Sequence, residues 1–272
     1  MLVSIAPHKT FVESIAGDTV DTQVIVPAGA SSHTFEPTSK QMIQMSQADV
    51  WFRLGDGFEK RLMQVLQSYN PKIKIIDFRE HANMICSDHV HHHHGHHKCS
   101  EDMRDVHIWL SPREAKKQAM DIANTLKKQY PQNQELYTEN LQKFLKQLNE
   151  LDNEIGKQLA AYKGTSFLVS HPAYAYFARD YELNQMSVEF EGRDPTPQQL
   201  TKLLKRAKEL NICKVFIQPQ HDNRGAKLVA SHIDADIVSL DPYSEDYFHN
   251  LRTLANQFSC GQRRDTKESS TK

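Results

Sequence analysis

The sequence predicts an α/β fold of two lobes, each a mainly parallel four-stranded sheet flanked by helices, joined by one long α-helix. Three observations predict it. Short apolar or β-branched runs alternate with amphipathic stretches along most of the chain, which is the pattern of βα units. One stretch, residues 133–162, keeps apolar side chains at helical spacing, and only Gly156 is a candidate break. About thirty helical residues would span roughly 45 Å, more than a crossover helix needs. Beyond Gly164 the alternation resumes.

Taken in order, residues 2–6 are a short apolar run, and residues 9–16 a helix closed by Gly17. Residues 22–26 are rich in β-branched side chains and end at Pro27-Ala28-Gly29. After a polar loop, residues 39–47 read as a helix with Met42 and Met45 on one side. Residues 49–54 are strand-like, 57–69 helical and 73–78 strand-like, and a long break covers 79–106. Residues 112–130 form a helix that stops before Pro131. The long helix carries Leu136, Leu141, Phe144, Leu145, Leu148, Leu151, Ile155 and Leu159. The second lobe alternates strands at 166–170, 185–189, 213–218 and 236–240 with helices at 173–181, 196–210, 224–233 and 245–258. Pro197 falls in a first helical turn, where its missing N–H costs nothing. The expected division is an N-terminal lobe 1–130 with a His-rich loop at 79–104, a linking helix 131–162, a C-terminal lobe 163–260 and a frayed tail 261–272.

Composition narrows function. The chain has 272 residues, with 33 Lys+Arg against 34 Asp+Glu, a balance that argues against a protein that coats nucleic acid or anionic membrane. It lacks a run of about 18 apolar residues, so no transmembrane helix is expected. No basic, apolar leader is visible at Met1, which leaves a cytosolic chain and a mature secreted chain as alternatives. The GxSxG, Walker A, GxGxxG and HExxH patterns do not occur. Glu189 and Glu191 are the nearest thing to an acid/base pair, and they read better as loop lining.

In open α/β sheets, ligands bind beyond the carboxyl ends of the strands. His33 follows the 22–26 run after a loop, and His171 and Asp241 directly follow later strands, each ahead of a proline. His107 ends the long break. Three imidazoles and a carboxylate facing each other across a cleft would make a four-coordinate site that zinc accepts. Taken singly, each has an ordinary role: a hydrogen-bonded histidine at a strand end, an Asp-Pro turn.

Fifteen histidines are the compositional anomaly, and eight of them lie between His81 and His97. The densest part holds His89, His91, His92, His93, His94, His96 and His97 between Cys86 and Cys99. Such a segment cannot pack a core and suits weak binding of divalent metals in many arrangements. Zinc, copper and nickel all accept imidazole. The four cysteines include no CxxC pair, and they fit either two disulfides or free thiols.

The chain resembles the substrate-binding proteins of bacterial zinc and manganese ABC importers, the cluster A-I metal-binding family. The resemblance covers almost the whole chain and rests on many motifs in register. The first are Val26-Pro27-Ala28-Gly29-Ala30-Ser31-Ser32-His33-Thr34-Phe35-Glu36-Pro37, Gln47-Ala48-Asp49-Val50 and Gly55-Asp56-Gly57-Phe58-Glu59. They continue with Asp105-Val106-His107-Ile108-Trp109-Leu110 and Ser170-His171-Pro172-Ala173-Tyr174-Ala175-Tyr176-Phe177. Last come Glu191-Gly192-Arg193-Asp194-Pro195-Thr196-Pro197, Gln218-Pro219-Gln220 and Leu240-Asp241-Pro242.

The resemblance implies that His33, His107 and His171 ligate the metal, with Asp241 or water fourth. Manganese members usually carry Glu where this chain has His171, and a His-rich insertion before His107 is a zinc-type feature. Zn2+ is therefore the expected transported ligand, with manganese or iron the alternative within the family. A zinc hydrolase and a His-rich metal store are rivals outside it. The implied protein is a monomeric periplasmic or extracytoplasmic receptor, its leader removed, with a membrane anchor through that leader as an alternative; it serves a membrane permease and, making and breaking no bond, is not expected to be an enzyme. Cys213 and Cys260 match a disulfide of some zinc members. Two positions depart from the family: Ser111 stands where many members have Asp, and Ser32 where some zinc members have Glu. The long helix argues for small local shifts rather than wide hinge opening.

Overall fold

The computed structural model describes residues 1–86, 104–189 and 195–259. Strand β1 (Leu2–Val3) is two residues long, because Pro7 in the first turn of α1 (Ala6–Ala16) sets the chain into a helix. It pairs in parallel with β2 (Gln23–Val24) on one side and β3 (Val50–Arg53) on the other, and β4 (Lys74–Asp77) lies beyond β3. The β1–β2 bonding runs past the strands, with Ile25 N–H donating to Val3 O at 2.9 Å and Val26 N–H to Ser4 O at 3.1 Å. It stops at Pro27, which has no N–H to give.

The second sheet comprises β5 (Ser166–Val169), β6 (Asn184–Ser187), β7 (Lys214–Ile217) and β8 (Asp236–Ser239), again all parallel. The orders are β2-β1-β3-β4 and β6-β5-β7-β8, so each lobe arranges its strands second, first, third, fourth. The expected α/β fold of two parallel four-stranded sheets stands. Most strands are shorter than the sequence suggests, because apolar runs continue into the turns that leave each sheet.

The remaining helices are α2 (Ser39–Met45), α3 (Gly57–Tyr69), α4 (Pro112–Gln129), α5 (Gln134–Leu159), α6 (Ala175–Asp180), α7 (Pro197–Glu209), α8 (Arg224–Ile233) and α9 (Tyr247–Asn256). The helices after the second strand of each sheet open alike. Thr38 Oγ accepts from Gln41 N–H, and Gln41 Oε1 accepts from Thr38 N–H; Thr196 and Gln199 repeat both bonds with the same lengths, 3.3 and 2.8 Å. These reciprocal caps satisfy N–H groups that helix starts otherwise leave unpaired.

Helix α5 has 26 residues and is flanked by 3-10 turns at Pro131–Asn133 and Ala160–Tyr162. Tyr137, Leu141, Phe144, Leu148, Leu151, Ile155 and Leu159 are its buried stripe, at alternating spacings close to the helical period. The stripe starts at Tyr137 and leaves Leu136 exposed, so the aromatic residue rather than the leucine faces inward. One core runs from Val3 and Phe11 through Trp109 and α5 to Phe167, Phe216 and Phe258, binding both lobes to the helix. Trp109 Nε1–H donates to Pro242 O at 2.8 Å, and Arg179 Nη2 pairs with Glu114 Oε1 at 2.9 Å. The lobes therefore share packed surface as well as a connection.

Ser111, one of the two departures, N-caps α4 by accepting from Glu114 N–H at 3.1 Å, and its hydroxyl also donates to Asp180. Cys86 and Cys213 each take part in a disulfide. Cys99, Cys260, the seven histidines from His89 to His97 and the tail lie outside the described residues. No described helix is long and apolar enough to cross a membrane.

Candidate metal centre

The carboxyl ends of both sheets turn toward one place. The loop after β2 carries Ser32 and His33, and the turn after β3 carries Asp56. His107, at the end of the long break, arrives without a strand: it caps a 3-10 turn, Ile108–Leu110, leading into α4. From the second sheet come His171 after β5, Glu189 after β6, His221 after β7 and Asp241 after β8.

His33, His107 and His171 meet across the lobes, and their ligand atoms lie within 4.8 Å of one another. Ring centroids are 5.3 Å apart for His33–His107, 5.4 Å for His107–His171 and 4.9 Å for His33–His171. Each ring is held from behind by a carboxylate at Nδ1. Asp56 Oδ2 lies 3.1 Å from His33, Asp105 Oδ1 2.7 Å from His107, and Glu189 Oε2 2.8 Å from His171. Nδ1–H donation to a carboxylate fixes the tautomer and leaves Nε2 as the free donor atom.

Electrostatics distinguish the rings. Burial would lower His33, but its hydrogen bond to Asp56 and that carboxylate's charge outweigh burial and raise it. Burial lowers His171 to about 4 despite Glu189. His33 Nε2 lies 3.1 Å from His171 Nε2. Two lone pairs at that distance need a cation between them. A proton carried by His33 and accepted by neutral His171 satisfies the pair, and a metal ion would replace that proton. Burial works against the charged forms of Asp56 and Glu189, yet their histidine partners hold both carboxyls down at about 2. Both are therefore anionic at neutral pH.

The carboxylates are themselves anchored. Asp56 Oδ2 accepts from Ser32 Oγ at 2.5 Å, and Asp56 Oδ1 accepts from Gly57 N–H at 2.5 Å at the start of α3. Ser32 also bonds Tyr243 OH of the other lobe at 2.9 Å. The second departure thus supports the carboxylate behind His33. Just upstream, Gly55 has φ +90°, and a Cβ there would come within 2.1 Å of the Arg79 side chain.

Asp241 belongs to neither group of described residues whose ligand atoms converge. Its Oδ1 accepts from Gln220 Nε2 at 2.6 Å and from Tyr243 N–H at 2.9 Å, the turn-forming role open to any Asp-Pro. The second convergent group is His171, Glu189 and His221. His221 escapes a strand-end search that halts at Gln218-Pro219-Gln220, although the same rule applied one residue further reaches it. Glu189 binds two histidines rather than merely lining a loop.

A trio of carboxylate-backed imidazoles between two lobes, tied by one long helix, defines the cluster A-I class of metal-binding substrate-binding proteins. Within that class, the chain belongs to the family of the periplasmic component A of zinc-uptake complexes, ZnuA, whose family model matches residues 1–260. A putative metal-binding protein of Chlamydia muridarum is 30% identical over 95% of this chain and 90% of its own length. A crystal structure of ZnuA is similar with a TM-score of 0.85 at 36% identity, covering 93% of this chain and 95% of that one. A zinc-bound deletion mutant of ZnuA gives the same TM-score and identity, covering 93% of this chain and 94% of its own.

Proposed function

We propose that this protein is an extracytoplasmic receptor that binds one zinc ion between its lobes and delivers it to the membrane permease of an ABC importer. One observation carries the reading: His33, His107 and His171 converge with each Nδ1 tied to its own carboxylate. Three neutral imidazoles suit zinc, whereas manganese favours carboxylate and water oxygens. The carboxylates stay out of the ligand set and instead raise the basicity of the rings. The fourth ligand is Asp241 or water, and the two hydrogen bonds already made by Asp241 Oδ1 favour water. The receptor acts as a monomer, its lobes falling at residues 1–130 and 163–260. The shared core and the Trp109–Pro242 bond support release by local shifts of the ligand loops rather than by wide opening.

The test is elemental analysis of the purified protein, followed by competition titration of zinc against a chelator. One tight equivalent is expected, with affinity lower by at least about a hundredfold in His107→Ala and in His171→Ala. Unchanged affinity in either variant overturns the assignment. A site that retains manganese in preference to zinc overturns the choice of metal.

A further inference from the structure

Glu189 serves two histidines. Its Oε2 faces His171 Nδ1 at 2.8 Å, and its Oε1 faces His221 Nδ1 at 3.5 Å. The two rings stack with centroids 4.3 Å apart and an interplanar angle of 17°. Since both turn Nδ1 to one carboxylate and lie nearly parallel, both direct Nε2 away from it, side by side. His171 Nε2 has His33 as its neighbour, whereas His221 Nε2 is buried with no hydrogen-bond partner among the described residues. A histidine serving only to pack or to brace the turn would gain by pairing that nitrogen.

The turn holding His221 is fixed. Its N–H donates to Gln218 O at 3.2 Å, and Asn223 Nδ2 donates to both Gln218 O and His221 O. Gln218 Nε2 in turn donates to His171 O at 3.1 Å, which ties the two histidine-bearing loops together. His171, Glu189 and His221 leave three neighbouring strands of one sheet and belong wholly to the C-terminal lobe. His33 and His107 belong to the other.

We infer that His171 and His221, backed jointly by Glu189, form a release position for the same zinc ion, occupied as the N-terminal imidazoles let go. This rests on the zinc reading above. His171 Nε2 stays bonded throughout as the pivot, the His221 ring turns out of its stack so that its Nε2 lone pair meets the ion in place of those of His33 and His107, and water completes the shell. No bond to carbon changes, and no proton must leave Nδ1 of either ring. Because His171 is common to both positions, they hold one ion alternately and never two. With fewer protein ligands, the release position binds more weakly and exchanges faster.

Two variants of the full chain test this. His33→Ala/His107→Ala removes the N-terminal imidazoles, and His33→Ala/His107→Ala/His221→Ala also removes the proposed partner of His171. The His-rich segment is present in both, so its contribution cancels. The double variant is expected to hold one more zinc equivalent than the triple, with affinity below wild type by on the order of a hundredfold or more. Zinc-edge anomalous scattering from its crystals should place the ion beside His171 and His221. Equal zinc content in the two variants overturns the inference. Should these variants fail to fold, His221→Phe alone decides: zinc transfer to a chelator should slow roughly tenfold while equilibrium affinity changes little, and an unchanged rate overturns it. Tight zinc binding in His107→Ala would instead defeat the primary site, a separate outcome.

Discussion

Asp105 grips His107 twice through one oxygen: Oδ1 accepts from the His107 backbone N–H at 2.8 Å and lies 2.7 Å from His107 Nδ1. The residue spacing makes this a local device, closed within a single turn of chain. It fixes the ring plane and the tautomer before any metal arrives, so binding need not order them. Tyr176 of the other lobe donates its hydroxyl proton to Asp105 O at 2.6 Å, so the grip is itself held across the lobes.

Asp105→Asn keeps the shape and removes the charge. We expect zinc affinity to fall by about 10–100-fold, the usual effect of losing an outer-shell carboxylate, with little change in melting temperature. Chelator competition beside a thermal melt reads both. Affinity equal to wild type would mean that the backbone bond alone positions the ring.

Gly55→Ala should damage both fold and site. The backbone there has φ +90°, and the new methyl would overlap Arg79, whose side chain pairs with Asp77 at 2.7 Å. Either Arg79 leaves its carboxylate or the turn moves Asp56, and with it His33. A loss of roughly 2 kcal/mol or more in stability is expected from strain and clash together, along with weaker zinc binding. Urea unfolding and metal titration of the same sample check the pair.

Much of this molecule is legible from sequence because its signals are local. Hydrophobic period locates α3 and α8 at their observed bounds, and strand-end placement finds His33 and His171. Asp241 shows what that rule leaves open. A carboxylate at a strand end can also brace its own loop, and only the positions of Gln220 and Tyr243 show that Oδ1 does so. Asp56 and Glu189 are invisible as site residues for a related reason. Their role depends on which imidazole lies opposite, a contact across 23 and 18 residues of sequence respectively, and no period encodes it. Tyr137 escapes for a simpler cause: Leu136 beside it is the more apolar side chain, yet it is the tyrosine ring that falls on the buried stripe.

His8 gives the chain an acid sensitivity unrelated to metal. It is fully buried against Phe11, Phe78 and Trp109, with Nε2 2.8 Å from Gln118 Oε1. Burial lowers its value to about 3, the Gln118 bond opposing only in part. The unfolded chain therefore binds this proton from about pH 6.5 downward, while the folded chain refuses it until about 3. The stability held by neutral His8 is complete above pH 6.5 and is lost as pH falls toward 3, at up to about 1.4 kcal/mol per pH unit. Between pH 6.5 and 4.5, wild type should lose roughly 2 kcal/mol more than His8→Gln. Denaturant unfolding across that range measures the difference, and parallel curves for the two proteins would refute it.

Cys213 is disulfide-bonded, and we expect Cys260 as its partner. The bond would pin the chain beyond α9 to the start of β7. Closing a loop of this length should contribute about 4 kcal/mol in the chain-entropy account. Peptide mapping without reductant should find the linked pair. Free thiols at both positions, or Cys213 joined to another cysteine, would reject the pairing.

The His-rich segment should act separately from the inter-lobe site. Its seven histidines, His89 through His97, offer many equivalent ligand sets, and the sequence favours no one of them, so we expect each metal bound there to cost ordering entropy. By contrast, His33, His107 and His171 are already held by their carboxylates. Affinity in the segment should therefore be lower, with more than one ion bound and binding lost first in mild acid, because unperturbed imidazoles protonate near roughly pH 6.5. Deleting residues 88–97 should remove the weak equivalents and leave one tight zinc ion, as counted by titration at pH 7.5 and again at pH 6. If the deletion abolished the tight equivalent, the segment would belong to the primary site, and the carboxylate-backed trio would be insufficient on its own.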